Sequence, residues 1–154
     1  MKENNGSYME RQKEPHQQCL TKISRLMRSL FGEQAQQADD TAEFRIRHGS
    51  ATVQVRIVPW CDDALVVARA YIASCIELTP DLMRFLLEKN NDIAFGAFGV
   101  DPDGSIFLEH SIVGSTCDKA ELQATVSSVL TIADEYDDEI LRRWGGQQML
   151  RKLQ

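Results

Sequence analysis

The segment Ala64–Ala73 (ALVVARAYIA) constrains the fold more than any other stretch of this chain. Drawn as a strand, it is apolar on both sides. Leu65, Val67 and Tyr71 point one way, and Val66, Ala68 and Ile72 point the other. A strand of this kind is expected to be covered on both faces. Its neighbours alternate more strictly. Phe44 and Ile46 are interleaved with Arg45 and Arg47, the trio His48-Gly49-Ser50 supplies a turn, and Val53, Val55 and Ile57 are interleaved with Thr52, Gln54 and Arg56. That pattern predicts an antiparallel hairpin with one apolar and one wet face. Pro59, which cannot donate to a ladder, ends its second strand, and Asp62-Asp63 lies in the following turn.

A second hairpin is predicted from Ile93–Val100 (IAFGAFGV) and Ser105–Val113 (SIFLEHSIV). Between them, Asp101-Pro102-Asp103-Gly104 has proline second and glycine fourth, which suits a type I turn. Three helices complete the chain. Leu20, Ile23, Leu26, Met27, Leu30 and Phe31 recur at helical spacing over 17–31, before Gly32 and a polar loop, Glu33–Thr41. Thr79-Pro80-Asp81 reads as a helix start, with a capping hydroxyl and a proline in the first turn, ahead of the stripe Leu82, Phe85, Leu86 and Leu87. Asn90-Asn91 ends this helix. The last helix is predicted over 118–144. Ser115 with Asp118, or Asp118 with Glu121, can form its capping box, and Gly145-Gly146 stops it. The order α-βββ-α-ββ-α predicts a two-layer α+β domain, a five-stranded antiparallel sheet packed with three helices. The 154 residues fit one domain, placed at 16–146 between a disordered N-terminal tail, 1–15, and a C-terminal tail, 147–154.

The net charge of −6 disfavours both nucleic acid and anionic membrane surfaces. Lys22, Arg25 and Arg28 are the best basic patch, and three such charges read as a solvated face. The N-terminus has no apolar core of a signal peptide, and no run of about 18 apolar residues spans a membrane. The four cysteines, Cys19, Cys61, Cys75 and Cys117, form no CxxC pair. Free thiols in a reducing cytoplasm are the expectation.

Three segments carry a resemblance to a known family. They are Leu78-Thr79-Pro80-Asp81-Leu82-Met83, Phe95-Gly96-Ala97-Phe98-Gly99 before Asp101-Pro102-Asp103-Gly104, and Ala133-Asp134-Glu135-Tyr136-Asp137-Asp138. Over about residues 17–146 the chain resembles the YbjN family, which shares a type III secretion chaperone-like fold. It looks closest to the branch found in photosynthetic bacteria. The resemblance implies a homodimer that binds partner polypeptides, with no cofactor and no catalysis, and it supplies no catalytic residues.

The residues themselves offer little chemistry. The turn at Asp101 has a calcium-loop flavour, but the required Gly and Glu positions hold Ile106 and Ile112. The acidic run Asp134, Glu135, Asp137, Asp138 and Glu139 reads as a solvated face answered by Arg142 and Arg143, or as a surface for a basic partner. Glu109 and His110 are adjacent in a strand and face opposite ways, so they make no dyad. Gly114-Ser115-Thr116 precedes a helix that Asp118 caps, which leaves little room for an anion. Cys117 beside Asp118 reads as an inert thiol. The expected site is an apolar protein-binding or dimer surface drawn from Val66, Ala68, Phe98, Val100 and Phe107 on the sheet and Leu82, Phe85 and Leu86 on the second helix. The alternatives are a small-molecule sensor with a pocket between sheet and helices, and an enzyme. A deep polar pocket would favour either of these over the flat apolar patch.

Overall fold

A computed structural model describes residues 5–37 and 42–148, with side chains from residue 14 onward. The expected tails' residues 1–4 and 149–154, and residues 38–41 of the expected loop, lie outside the described residues. The remaining elements follow in chain order: α1 (Asn5–Phe31), a short 3-10 turn (Gly32–Gln34), β1 (Gln36–Gln37), β2 (Glu43–His48), β3 (Ala51–Trp60), β4 (Asp63–Ser74), α2 (Pro80–Asp92), β5 (Ala97–Val100), β6 (Ile106–Val113), α3 (Lys119–Trp144) and β7 (Gln147–Gln148). All strand pairs are antiparallel, in the order β1-β2-β3-β4-β6-β5, with β7 beside the end of β4. The class is therefore the expected α+β, with β1 and β7 added as two-residue extensions. Neither has the periodicity that would reveal it in the sequence. The polar segment before residue 16 continues α1 back to Asn5, through Pro15. Proline inside a helix forfeits a backbone bond, which is why the pattern suggested a later start.

Local chemistry accounts for the helix ends. The Thr79 hydroxyl accepts from the Leu82 N–H, and Pro80 takes the first helical position. Of the two possible boxes at α3, Asp118 is the cap: its carboxylate accepts from the Glu121 N–H at 2.8 Å. The turn between β5 and β6 closes through Gly104 N–H to Asp101 C=O at 2.8 Å, and Gly104 then takes φ +82°. Strand β5 begins only at Ala97, because Gly96 bends at φ +85° against the Glu109 carbonyl.

One apolar cluster lies between the sheet and the helices. Cys19, Ile23 and Met27 of α1 enter it at four-residue spacing, and Leu122, Val126, Val129, Ala133 and Ile140 of α3 at spacings of three, four and seven. From the sheet come Phe44, Ile46, Val53, Val55, Ile57, Val66, Ala68, Ala70, Ile72, Ile106 and Leu108. Each fully buried aliphatic side chain contributes about 1.5–3 kcal/mol. Helix α2 sits at the β5 end, where Phe85 packs against Tyr136 and Trp144 of α3.

The outer edge of β5 is not open. Asn90 Nδ2 donates to the Phe98 carbonyl at 3.3 Å, and the Phe98 N–H donates to Asn90 Oδ1 at 2.7 Å. One side-chain amide thus makes the pair of bonds that a further strand would make. Asn90→Ala is expected to cost about 1–3 kcal/mol and to raise self-association, read from thermal melts and light scattering.

Candidate functional site

Pleating divides the sheet residues unambiguously, because directly opposed residues share a face. The register pairs Val58 with Leu65, Arg56 with Val67, Gln54 with Arg69, Leu65 with Val113, Val67 with Ser111, Arg69 with Glu109 and Tyr71 with Phe107. These residues form the face opposite the core. None of Val58, Leu65, Val67, Tyr71, Phe107 or Val113 belongs to the core cluster or packs against it. Among the described residues Val67, 7% exposed, is the one buried apolar side chain outside that cluster. Strand β4 is therefore covered by helices on one side only. The expectation of cover on both is corrected, since all three helices take their buried side chains to the other face.

The anticipated surface residues divide accordingly. Val66, Ala68 and Phe98 are buried within the core, and the reading that they remain partly uncovered is corrected; Leu82, Phe85 and Leu86, a stripe that could face either the core or a dimer partner, face the core. Val66 and Ala68 lie on the helix-covered row of β4, while Leu82, Phe85 and Leu86 are the inward stripe of α2. Phe98 meets the Tyr136 ring at 5.3 Å. Only two of the eight remain reachable. Val100 stands at the end of β5, 40% exposed, and Phe107 lies on the open face. Leu87, expected in the same stripe as Leu82, Phe85 and Leu86, instead faces outward at 68% exposed, and the sequence reading missed Met83 beside it, 43% exposed, and Trp60 at the β3 end, 48% exposed.

Toward the Tyr71 end, the open face carries a charged cluster. The Arg69 Nε donates to Glu109, and its Nη1 reaches Asp101 at 3.2 Å and the Tyr71 hydroxyl at 3.4 Å. Its Cζ lies 3.9 Å from the Phe107 ring centroid. Tyr71 donates to Asp101 at 2.9 Å. Burial disfavours the charge on Arg69, but bonds to Glu109 and Tyr71 and the charges of Glu109 and Asp101 outweigh it and raise its pKa.

Most other polar motifs are occupied by structural work. Asp134 accepts the Ser50 N–H at 3.0 Å, and the Ser50 Oγ lies 2.7 Å from both Asp134 and Asp137. Gln148 donates to Asp137 at 2.9 Å. The acidic run therefore staples the β2–β3 turn and β7 to α3, with Glu139 also pairing Arg143. The Ser50 hydroxyl, then its N–H, hold Asp134 below the usual 3.8. A carboxyl depressed on folding stabilises above its unfolded pKa, and that stabilisation is lost as pH falls through the folded value. Below about pH 4 the wild-type urea midpoint should therefore fall more steeply than that of Ser50→Ala. Parallel slopes in denaturation series between about pH 5 and 2 would exclude this role.

A depression of about 560 Å³ is lined by Pro15, Gln18, Cys19, Lys22, Asp62, Asp63, Gly114 and Ser115. Its lysine and one of its aspartates are already paired. Lys22 donates to the Gly114 and Ser115 carbonyls at 2.7 and 3.0 Å, which also takes one charge out of the expected basic patch. Asp63 accepts from the Ser115 hydroxyl and N–H and from the Ala64 N–H. Burial pushes the Cys117 thiol up to about 11 and raises Cys19 as well, while Cys61 and Cys75 are exposed. Glu109 bonds Arg69, whereas His110 meets the Phe95 ring, so the two face opposite ways. Among the described residues no His, Cys, Asp or Glu group is arranged to hold a metal, and no helix is long and apolar enough to cross a membrane.

Comparison with solved structures finds several similar folds, among them two complexes. The ExsC-ExsE complex matches at TM-score 0.60 and 17% identity, over 77% of this chain and 93% of the other. The HopA1-SchA chaperone-effector complex matches at TM-score 0.57 and 12% identity, over 77% and 91%. At these identities the likeness is one of fold. No match is found among curated proteins. A family model described as T3SS (YopN, CesT) and YbjN peptide-binding chaperone 1 matches residues 17–152, and the chain accordingly belongs to that family, TY-Chap1.

Proposed function

We propose that this chain is a non-catalytic, chaperone-like module that binds a segment of a partner polypeptide on the open face of its sheet. The observation that carries the reading is the row Val58, Leu65, Val67 and Val113, apolar side chains outside the core with no described helix over them. Apolar surface of this kind, half-buried at Val58, Leu65 and Val113 and with no described helix packed on it, marks a protein interface. The peptide-binding description of the family supports the same assignment. The small-molecule alternative is weakened by the depression beside α1, whose lysine and aspartate already hold protein partners.

The module works as a homodimer in this proposal. The helix stripe originally offered for the contact is core, so the contact moves to the outer row of α2, Met83 and Leu87, with Val100 of β5. Leu87→Asp should then give a monomer by sedimentation, and an unchanged mass would remove this part of the proposal.

The test of binding is a photo-crosslinking residue placed at Leu65 or Ser111 on the open face, and at Glu135 on α3 as a control, in a native lysate. Polypeptide adducts mapped by mass spectrometry from the first two positions and absent from the third support the reading. Adducts at all three, or at none, overturn it.

A further inference from the structure

The open face is electrically lopsided, and this has consequences for what it selects. Among the described residues, Arg45, Arg47 and Arg56 stand on the β2–β3 side against one carboxylate, Glu43. Glu43 pairs with Arg45 at 2.9 Å. Arg47 is exposed and Arg56 has a buried Nε without a hydrogen-bond acceptor; neither has an ion-pair partner among the described residues. On the β5–β6 side the balance reverses, with Asp101 and Glu109 against the single guanidinium of Arg69. The row Arg56, Val67, Ser111 crosses between them, and Val58, Leu65 and Val113 form the adjacent row along the strands. The register runs Arg45, Gln54, Arg69, Glu109 across neighbouring strands, so the sign changes in the direction perpendicular to them.

We infer that this face takes a short amphipathic segment of a partner polypeptide in one orientation, its acidic residues over Arg47 and Arg56, its apolar side chains on the Leu65–Val67 row, and a basic residue toward Asp101 and Glu109. This inference rests on the sheet-face reading above and adds the charge order of the occupant. Strands about 4.8 Å apart put β2 and β5 about 19 Å from each other, a span covered by about six extended residues. Complementary charge sets orientation and rejects wrong partners more than it adds affinity. The chain's own net charge of −6 makes the exposed arginines on this face a local exception. An acidic segment is therefore drawn to this side of the molecule rather than to its remainder.

The experiment uses three fluorescein-labelled synthetic peptides with the same apolar centre, flanked on one side by aspartates, by lysines or by serines, read by anisotropy against the full chain. The aspartate peptide should bind at least about tenfold more tightly than the lysine peptide, with the serine peptide between, and the difference should shrink in high salt. Arg47→Glu combined with Arg56→Glu should invert the order. Arg47→Glu alone, at an exposed position, carries the test if the double variant fails to fold by circular dichroism. Leu65→Asp should weaken the aspartate and serine peptides alike. Equal binding of all three peptides, with loss on Leu65→Asp, leaves the sheet-face reading standing and overturns the charge order. No binding of any peptide to the wild type overturns both. A charge preference that Leu65→Asp leaves untouched places the peptide elsewhere and overturns the inference.

Discussion

Val66→Asp abolishes folding, whereas Leu65→Asp, one residue away, leaves the fold intact and removes partner binding. This is the expected result with the largest contrast, and it follows from the pleat of β4. Val66 is fully buried, paired across from Ile57 and Ile112 beneath the helices. A carboxylate there has no cation and no donor, at a cost on the order of 5 kcal/mol or more. A domain of this kind holds only about 5–15 kcal/mol in total. Leu65 sits on the opposite row between Val58 and Val113. Aspartate there meets water, so the stability change should stay within about 1 kcal/mol. A substitution at the centre of an apolar contact should weaken binding at least about tenfold. Circular dichroism and anisotropy on the two purified variants check both halves. A folded Val66→Asp, or a Leu65→Asp with wild-type binding, contradicts the assignment of faces.

The second large effect is at the join between the two later helices. Phe85→Ala is expected to cost about 3–5 kcal/mol and to lower the melting temperature by about 10 °C. The Phe85 ring stands 5.0 Å from that of Trp144 and 6.2 Å from that of Tyr136, with the Arg143 guanidinium 4.8 Å away. Helix α2 touches the sheet mainly through the short β5, so this aromatic group is its principal anchor to the core. Asp81 accepts from the Trp144 indole at 3.2 Å, the one side-chain hydrogen bond between the two helices among the described residues, and the Lys89 ammonium lies 5.9 Å from the Tyr136 ring centroid. Tyr136→Leu should cost less, because Tyr136 is only half-buried and Trp144 still covers the ring. Differential scanning calorimetry separates the two, and equal losses would mean that the anchor is shared rather than centred on Phe85.

The fold was largely readable because its local signals agree. Thr79-Pro80, Asp118 with Glu121, and the type I turn at Asp101 each do in the structure what their chemistry suggests. The two-residue strands were not readable, since Gln36–Gln37 and Gln147–Gln148 carry no apolar alternation and exist only through their partners. The site was less legible for a different reason. Both rows of β4 are apolar apart from Arg69 on the Leu65 row, a single charge that points to the wet row without fixing it. The answer lay in pairing. Arg56, plainly on the polar side of β3, opposes Val67, and Gln54 opposes Arg69. The wet row is therefore Leu65, Val67, Arg69 and Tyr71, and Val66 and Ala68 belong inside. Register across strands is a tertiary property, and periodicity within one strand does not contain it. Helix α2 shows the same limitation at smaller scale: its stripe was drawn one residue too wide, since Leu87 faces outward, and Met83 on that side escaped notice because isolated exposed apolar residues are ordinary.

The amide of Asn90 behaves as a removable plug in the last rung of the β5 edge. A plug made by one side chain can be withdrawn by one mutation, without touching the core. The freed rung would then serve as a template for an identical rung on another molecule. A contact between identical rungs uses the same edge twice and closes on itself, so a chain lacking this amide would drift toward edge-to-edge dimers while each of its subunits kept its native shape.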